Sequence, residues 1–206
     1  MRPNHIMHKY NKTRHNRQST RLRGYDYSRN GAYFVTLCTY QRECVLGEIV
    51  RGEMRLNEIG QAVLETWQQL PRYFPNIRLD EFVVMPNHVH GIVIIDRSID
   101  NHHVGAQFIA PKNENAPNRE NMSDWDSVTT RGVMNHAPTL GNVIRAFKAM
   151  AARKIHLSGF SNRMWQRNYH DHIIRNEKSL NEIRRYIIYN PARWDLDRNN
   201  PKNIRE

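Results

Sequence analysis

Two strand-like stretches, Leu79 to Met85 and the β-branched run His88 to Ile95, are separated only by Pro86-Asn87. A break this short between two strand-like runs forces the chain to double back, so the segment predicts an antiparallel hairpin in the middle of a sheet. The second strand opens with His88-Val89-His90. Successive strand side chains point to opposite faces, so both histidines share one face and Val89 takes the other. Paired imidazoles on one rigid strand can hold a single divalent ion. A hydrogen-bonded core histidine or a chance spacing would give the same triplet, and the hairpin alone does not choose.

Other elements gather around this hairpin. Tyr33 to Thr39 reads as a strand and Val45 to Val50 as a short one. Ile59, Val63, Trp67 and Leu70 recur at helical spacing, with Pro71 marking the exit. Leu140, Val143, Ile144, Phe147 and Ala151 line one face of a second helix. A third helix starts at Ser179, where Ser179 and Glu182 form a capping-box pair. Leu180, Ile183 and Ile187 supply its apolar stripe, Pro191 ends it, and Trp194 follows as a cover for the core. Between the hairpin and the second helix, residues 97–138 are rich in Asn, Asp, His and Pro and read as a polar loop insertion. His102, His103 and His136 in that loop are taken as solvated.

Charge decides the class of partner. The 206 residues carry a formal net charge of +11, which favours a polyanion. No apolar stretch is long enough to span a bilayer and the N-terminus has no hydrophobic signal region, which leaves nucleic acid as the partner and a cytoplasmic location. Two cysteines, Cys38 and Cys44, make neither a disulfide framework nor a zinc pattern, and Cys38 is expected as a buried thiol. Residues 1–24 include Arg14, Arg17, Arg21 and Arg23 and no acidic residue, so they read either as a basic arm tracking a phosphate backbone or as a solvated tail. Arg145, Lys148 and Arg153 on the second helix are DNA contacts or a solvated basic face. The expected organisation is an arm over 1–24, one domain over 25–196 and a tail over 197–206.

The third helix supplies the remaining chemistry. Glu182, Tyr186 and Asn190 are spaced by four and form one stripe beside the apolar one. A tyrosine there is ordinarily a packing residue. Beside a metal-holding histidine pair and a basic surface, however, it acquires a second reading. A metal would polarise a phosphodiester, and the tyrosine hydroxyl would attack phosphorus. With an ordinary pKa near 10, the phenol needs such help at neutral pH.

Taken together, Met85-Pro86-Asn87-His88-Val89-His90-Gly91, Phe147-Lys148, Trp165-Gln166-Arg167-Asn168-Tyr169, His172-Ile173-Ile174-Arg175-Asn176 and Tyr186-Ile187-Ile188-Tyr189-Asn190-Pro191 resemble the REP-associated tyrosine transposases. These belong to the single-tyrosine HUH transposases, in which U denotes a large hydrophobic residue. The likeness runs from about Arg21 to about Trp194. It implies an α+β, ferredoxin-like fold (the HUH endonuclease fold), an antiparallel sheet with helices on one face. It also implies a catalytic Mg²⁺ or Mn²⁺ at His88 and His90 and a nucleophile at Tyr186. Asn190 stands where other branches carry glutamine to complete the metal site, and His172 lies in a recurring His-rich block as a second candidate for metal or phosphate contact. His170 stands where an aromatic residue is usual and receives no role.

By the same resemblance the substrate is single-stranded DNA near hairpin-forming palindromes. It is cleaved to a 5′-phosphotyrosine and a free 3′-hydroxyl and rejoined by reversal, by a nucleoid-associated monomer or homodimer. A hairpin-binding protein that no longer cleaves, or a phosphodiesterase using water, are the competing readings.

Overall fold

In the computed structural model, which describes residues 22, 24–98 and 139–203, the hairpin forms across Pro86-Asn87. Its strands are β4 (Ile77–Met85) and β5 (His88–Ile95), with β1 (Gly31–Cys38), β2 (Gly47–Val50), β3 (Glu53–Leu56) and β6 (His170–Ile174) completing the set. The principal sheet is antiparallel with order β4-β5-β1-β6, and β2-β3 form a small separate hairpin. Among the described residues three α-helices accompany them: α1 (Glu58–Tyr73), α2 (Leu140–Leu157) and α3 (Glu177–Tyr189). The β1-α1-β4-β5-α2-β6 succession with this strand order is the ferredoxin-like arrangement, so the expected α+β fold is present.

The pleat divides β5 into two faces. Val89, Val93 and Ile95 join Tyr33, Val35 and Leu37 of β1 in a core covered by Val63, Trp67 and Leu70 of α1 and by Val143, Phe147 and Ala151 of α2. Gly91 lies under the Trp67 ring, which stacks on Phe82 at 4.4 Å between centroids. A Cβ at residue 91 would stand 2.6 Å from Trp67 and 2.8 Å from Phe82, so only glycine lets the indole lie this close to the strand. On the opposite face Ile92 and Ile94 meet Ile183 and Ile187 of α3. Two helices therefore share one face, whereas the third, α3, covers the other rather than joining them as expected.

Several boundaries differ from the sequence expectation. α1 runs through Pro71 to Tyr73, because a proline in the last turn sacrifices one backbone bond, and Phe74 N–H still reaches Leu70 O at 3.0 Å. α3 begins at Glu177, since Asn176 is its cap and accepts from Ser179 N–H at 2.8 Å, leaving the Ser179–Glu182 pair inside the helix. β6 is an edge strand that the mixed sequence 165–176 did not reveal. Cys38 is buried, which pushes its thiol pKa up, and Cys44 is exposed. No helix among the described residues is long and apolar enough to cross a membrane.

Candidate metal and tyrosine site

β5 delivers His88 and His90 to the α3 face, where both are almost fully buried. Their Nε2 atoms lie 3.0 Å apart. His88 Nδ1 is 2.8 Å from Asn87 Oδ1, and His90 Nδ1 is 2.8 Å from Thr36 Oγ1 on the neighbouring strand. Both rings thus have one nitrogen engaged by the scaffold and the other turned inward. Phe34 stacks on His90, and Trp194 lies over His88 at 6.0 Å between ring centroids.

α3 brings Tyr186 to the same place. Its hydroxyl is 3.3 Å from His90 Nε2, within one chain. The helix is held by its apolar stripe and by Arg184, which forks onto Asp80 at 2.7 and 2.8 Å. Asp80 occupies the bulge between Leu79 and Phe82, where one extra residue in β4 aims the carboxylate at the helix. Two residues beyond Arg184 in the sequence, Tyr186 is therefore tied to the sheet at its own turn of helix.

The third candidate ligand comes from beyond α3. After Asn190 the chain runs through a 3₁₀ turn over Pro191–Leu196 and folds back. Asp197 is buried there, with Oδ2 3.7 Å from His88 Nε2 and Oδ1 accepting Asn199 N–H at 2.6 Å. His88, His90 and Asp197 each offer one ligand atom, all within 4.8 Å of one another, and they are the metal-capable group among the described residues. The sequence reading put Asp197 in a tail and gave it no role. Its signal was slight, since an Asp six residues after a proline is common in any turn.

Burial sets the electrostatics. Loss of solvent drives the His88 pKa down to about 4, against the upward pull of Asp197, with Arg42 and Arg198 adding to the fall. His90 is held well below its ordinary value, first by burial and then by His88 and Arg198. Both imidazoles are consequently neutral at physiological pH, the form that ligates metals. Burial also raises the Tyr186 pKa, as does Asp197, while a hydrogen bond from Asn190 and the charge of Arg198 oppose the rise. Asn190 is buried, and its Oδ1 makes no hydrogen bond. Two neutral ring nitrogens, a carboxylate and an unpartnered amide oxygen suit a divalent cation, and the donor mix admits Mg²⁺ or Mn²⁺ as well as softer ions.

Not every expected residue converges here. His172 shares the face but sits exposed on β6, registered with Phe34. With β1 between them, β6 and β5 lie about two strand spacings apart, and the group that His88 and His90 form with Asp197 does not include His172. Arg145 and Arg153 are exposed on α2, across the sheet from Tyr186. Lys148 donates to Gln166 O and Asn168 O, both at 2.8 Å, and burial lowers its pKa to about 8. It staples α2 to the segment leading into β6. Arg42 and Arg198, which the sequence reading passed over, are the cations whose charge reaches the histidines. Arg14, Arg17, Arg21 and Arg23, together with His102, His103 and His136, lie outside the described residues.

The class the structure defines is one of fold: a four-stranded antiparallel sheet of ferredoxin-like order with a His-x-His strand at its centre and a helix carrying a tyrosine across one face. The structure is similar to a REP-associated tyrosine transposase bound to a REP hairpin, with a TM-score of 0.50 and 19% identity over 84% of this chain and 73% of that one. That likeness is one of fold. The chain is also 36% identical over 189 residues to an uncharacterized protein of Haemophilus influenzae, across 92% of this chain and 96% of that one, and it belongs to the same family as that protein. No protein-family model matches it.

Proposed function

We propose that this protein is a metal-dependent, single-strand DNA nuclease-ligase of the transposase type, with Tyr186 as nucleophile. The observation that carries the reading is the approach of Tyr186 Oη to His90 Nε2 at 3.3 Å, beside His88, Asp197 and Asn190. His88, His90 and Asp197 would hold the metal, with Asn190 Oδ1 as a further oxygen donor. When bound, the ion would polarise the scissile phosphate and offset charge on the departing oxygen.

The chain's own groups account for the rest. Phe34 and His90 pack against the Tyr186 ring and fix its approach, while Asn190 and Arg198 favour the phenolate. In the transfer step the Tyr186 Oη–P bond forms as the P–O3′ bond breaks. The phenol gives up its proton, and the leaving oxygen takes one up as a free 3′-hydroxyl. The 5′-phosphotyrosine keeps the bond energy needed for rejoining, so no nucleotide cofactor is required. Arg42 and Arg198, whose charges reach the histidines, would receive the phosphates. Hairpin-bearing single-stranded DNA is the substrate that fits this chemistry, the basic charge and the transposase resemblance.

Incubation with a panel of hairpin oligonucleotides in Mn²⁺ or Mg²⁺ should yield a protein–DNA adduct that survives denaturation. Peptide mapping should place it on Tyr186. Tyr186→Phe should remove the adduct and leave hairpin binding within about twofold. Hairpin binding with no adduct on any oligonucleotide would make the protein a binding module, and an adduct in Tyr186→Phe would move the nucleophile elsewhere.

A further inference from the structure

Asn87 sits between the turn and the histidine pair, fully buried. Its Nδ2 donates to two backbone carbonyls, Arg42 O at 2.9 Å and Asn199 O at 2.7 Å. Turning the amide over would set its oxygen against both carbonyls, so the orientation is fixed. Oδ1 therefore faces His88 Nδ1 at 2.8 Å and can only accept. The proton of neutral His88 must then reside on Nδ1, which leaves Nε2 with a bare lone pair pointing at His90 and Asp197.

The same amide reaches the acidic ligand. Asn199, whose carbonyl Asn87 holds, donates its own N–H to Asp197 Oδ1. Asp197 Oδ2 in turn faces His88 Nε2. His88, Asn87, Asn199 and Asp197 form a closed circuit, and one side chain on β5's entry turn connects its two halves. His90 lacks such a lock, because its partner is the Thr36 hydroxyl, which donates or accepts with equal ease. Two bare Nε2 atoms 3.0 Å apart would repel. His90 can answer by carrying its proton on Nε2 until a cation takes that place, with Thr36 donating to Nδ1 meanwhile.

We infer that Asn87 is the positioning residue of the site: it locks the His88 tautomer and docks the turn that presents Asp197, so that two ligands on separate segments are assembled by one amide. The inference rests on the metal reading of the site for its purpose. Partners of this kind usually change metal affinity by about 10–100-fold when removed.

The test uses full-length protein labelled with ¹⁵N-histidine, at pH 7.5 in chelator, with long-range ¹H–¹⁵N spectra assigned through His88 and His90 variants. His88 should show a protonated Nδ1 and a bare Nε2. A proton on Nε2, or exchange averaging of the two nitrogens, overturns the inference without any Asn87 variant having to fold. Asn87→Asp keeps the acceptor and loses both donors, so it should retain the His88 pattern while weakening Mn²⁺ binding. Asn87→Leu should lose the pattern and bind Mn²⁺ at least 10-fold more weakly by calorimetry or electron paramagnetic resonance. Unchanged Mn²⁺ affinity in a folded Asn87→Leu protein overturns the inference. A wild-type protein that binds no Mn²⁺ sinks the metal reading instead, and the spectra still decide the tautomer lock.

Discussion

β5 presents two chemistries on one strand. Val89, Gly91, Val93 and Ile95 face a dry core where Trp67 and Phe147 pack edge to face, while His88 and His90 face a buried polar pocket closed by α3 and the returning chain. The backbone is shared, so the contrast comes entirely from alternation. On the core side burial of apolar surface stabilises the fold. On the site side burial works against stability, since it strips solvent from two imidazoles, a carboxylate and an amide. Around the histidines the site side is held by directional bonds: Asn87, Thr36 and the Arg184–Asp80 fork add hydrogen bonds to the apolar packing of α3 on Ile92 and Ile94. Stability and activity should therefore come apart when each face is altered.

The largest separation is expected at His90. His90→Ala should lower adduct formation by about 10³-fold or more, the loss of roughly 4 kcal/mol of transition-state stabilisation, with little change in thermal midpoint. Single-turnover cleavage and a melting curve on the same preparation check it, and a large drop in stability would break the contrast. Trp67→Ala on the core side should do the opposite. It should cost about 3–5 kcal/mol in denaturant titrations while leaving adduct yield per folded molecule near normal.

A third test uses pH. The His88 pKa falls from its ordinary value in the unfolded chain to about 4 in the folded one. Below about pH 6.5 the unfolded state takes up a proton that the folded state refuses. The stability present above pH 6.5 should thus drain away as pH falls toward 4, by an amount on the order of 3 kcal/mol for this group. His88→Gln, measured in chelator, should flatten that slope, and an equally steep profile would remove His88 from the account. The smallest effect belongs to the clamp. Arg184→Met loosens a part-exposed ion pair and should cost only about 1 kcal/mol. Adduct formation should nevertheless fall several-fold because Tyr186 loses its register, and a parallel change in stability and rate would reduce the pair to simple packing.

Legibility in the sequence followed the range of each interaction. The hairpin, the facing of His88 and His90, and the stripes of α1 and α2 were readable because they depend on periods of two and 3.6. The cap of α3 was misplaced because two plausible caps, Asn176 and Ser179, lie three residues apart and only backbone geometry separates them. β6 was hidden because its first three residues, His170-Asp171-His172, are polar and leave only Ile173 and Ile174 as an apolar signal. Spacing made Tyr186 and Asn190 a helix stripe, chemistry beside the histidine pair offered Tyr186 a second reading, and the resemblance singled both out.

The sequence by itself determined that two imidazoles would share one face of a rigid strand, because a pleated strand allows nothing else. It also determined that a strong positive charge would accompany them. Only the tertiary structure decided what meets those imidazoles. Asp197 arrives from 107 positions after His90 in the chain, a relation visible in no local pattern. Tyr186 depends on which face α3 covers, and Lys148, readable as a DNA contact, is occupied by the carbonyls of Gln166 and Asn168. The physical reason is one of distance: alternation is fixed by neighbouring bonds, whereas a ligand set is fixed by where burial and hydrogen bonding bring remote segments to rest.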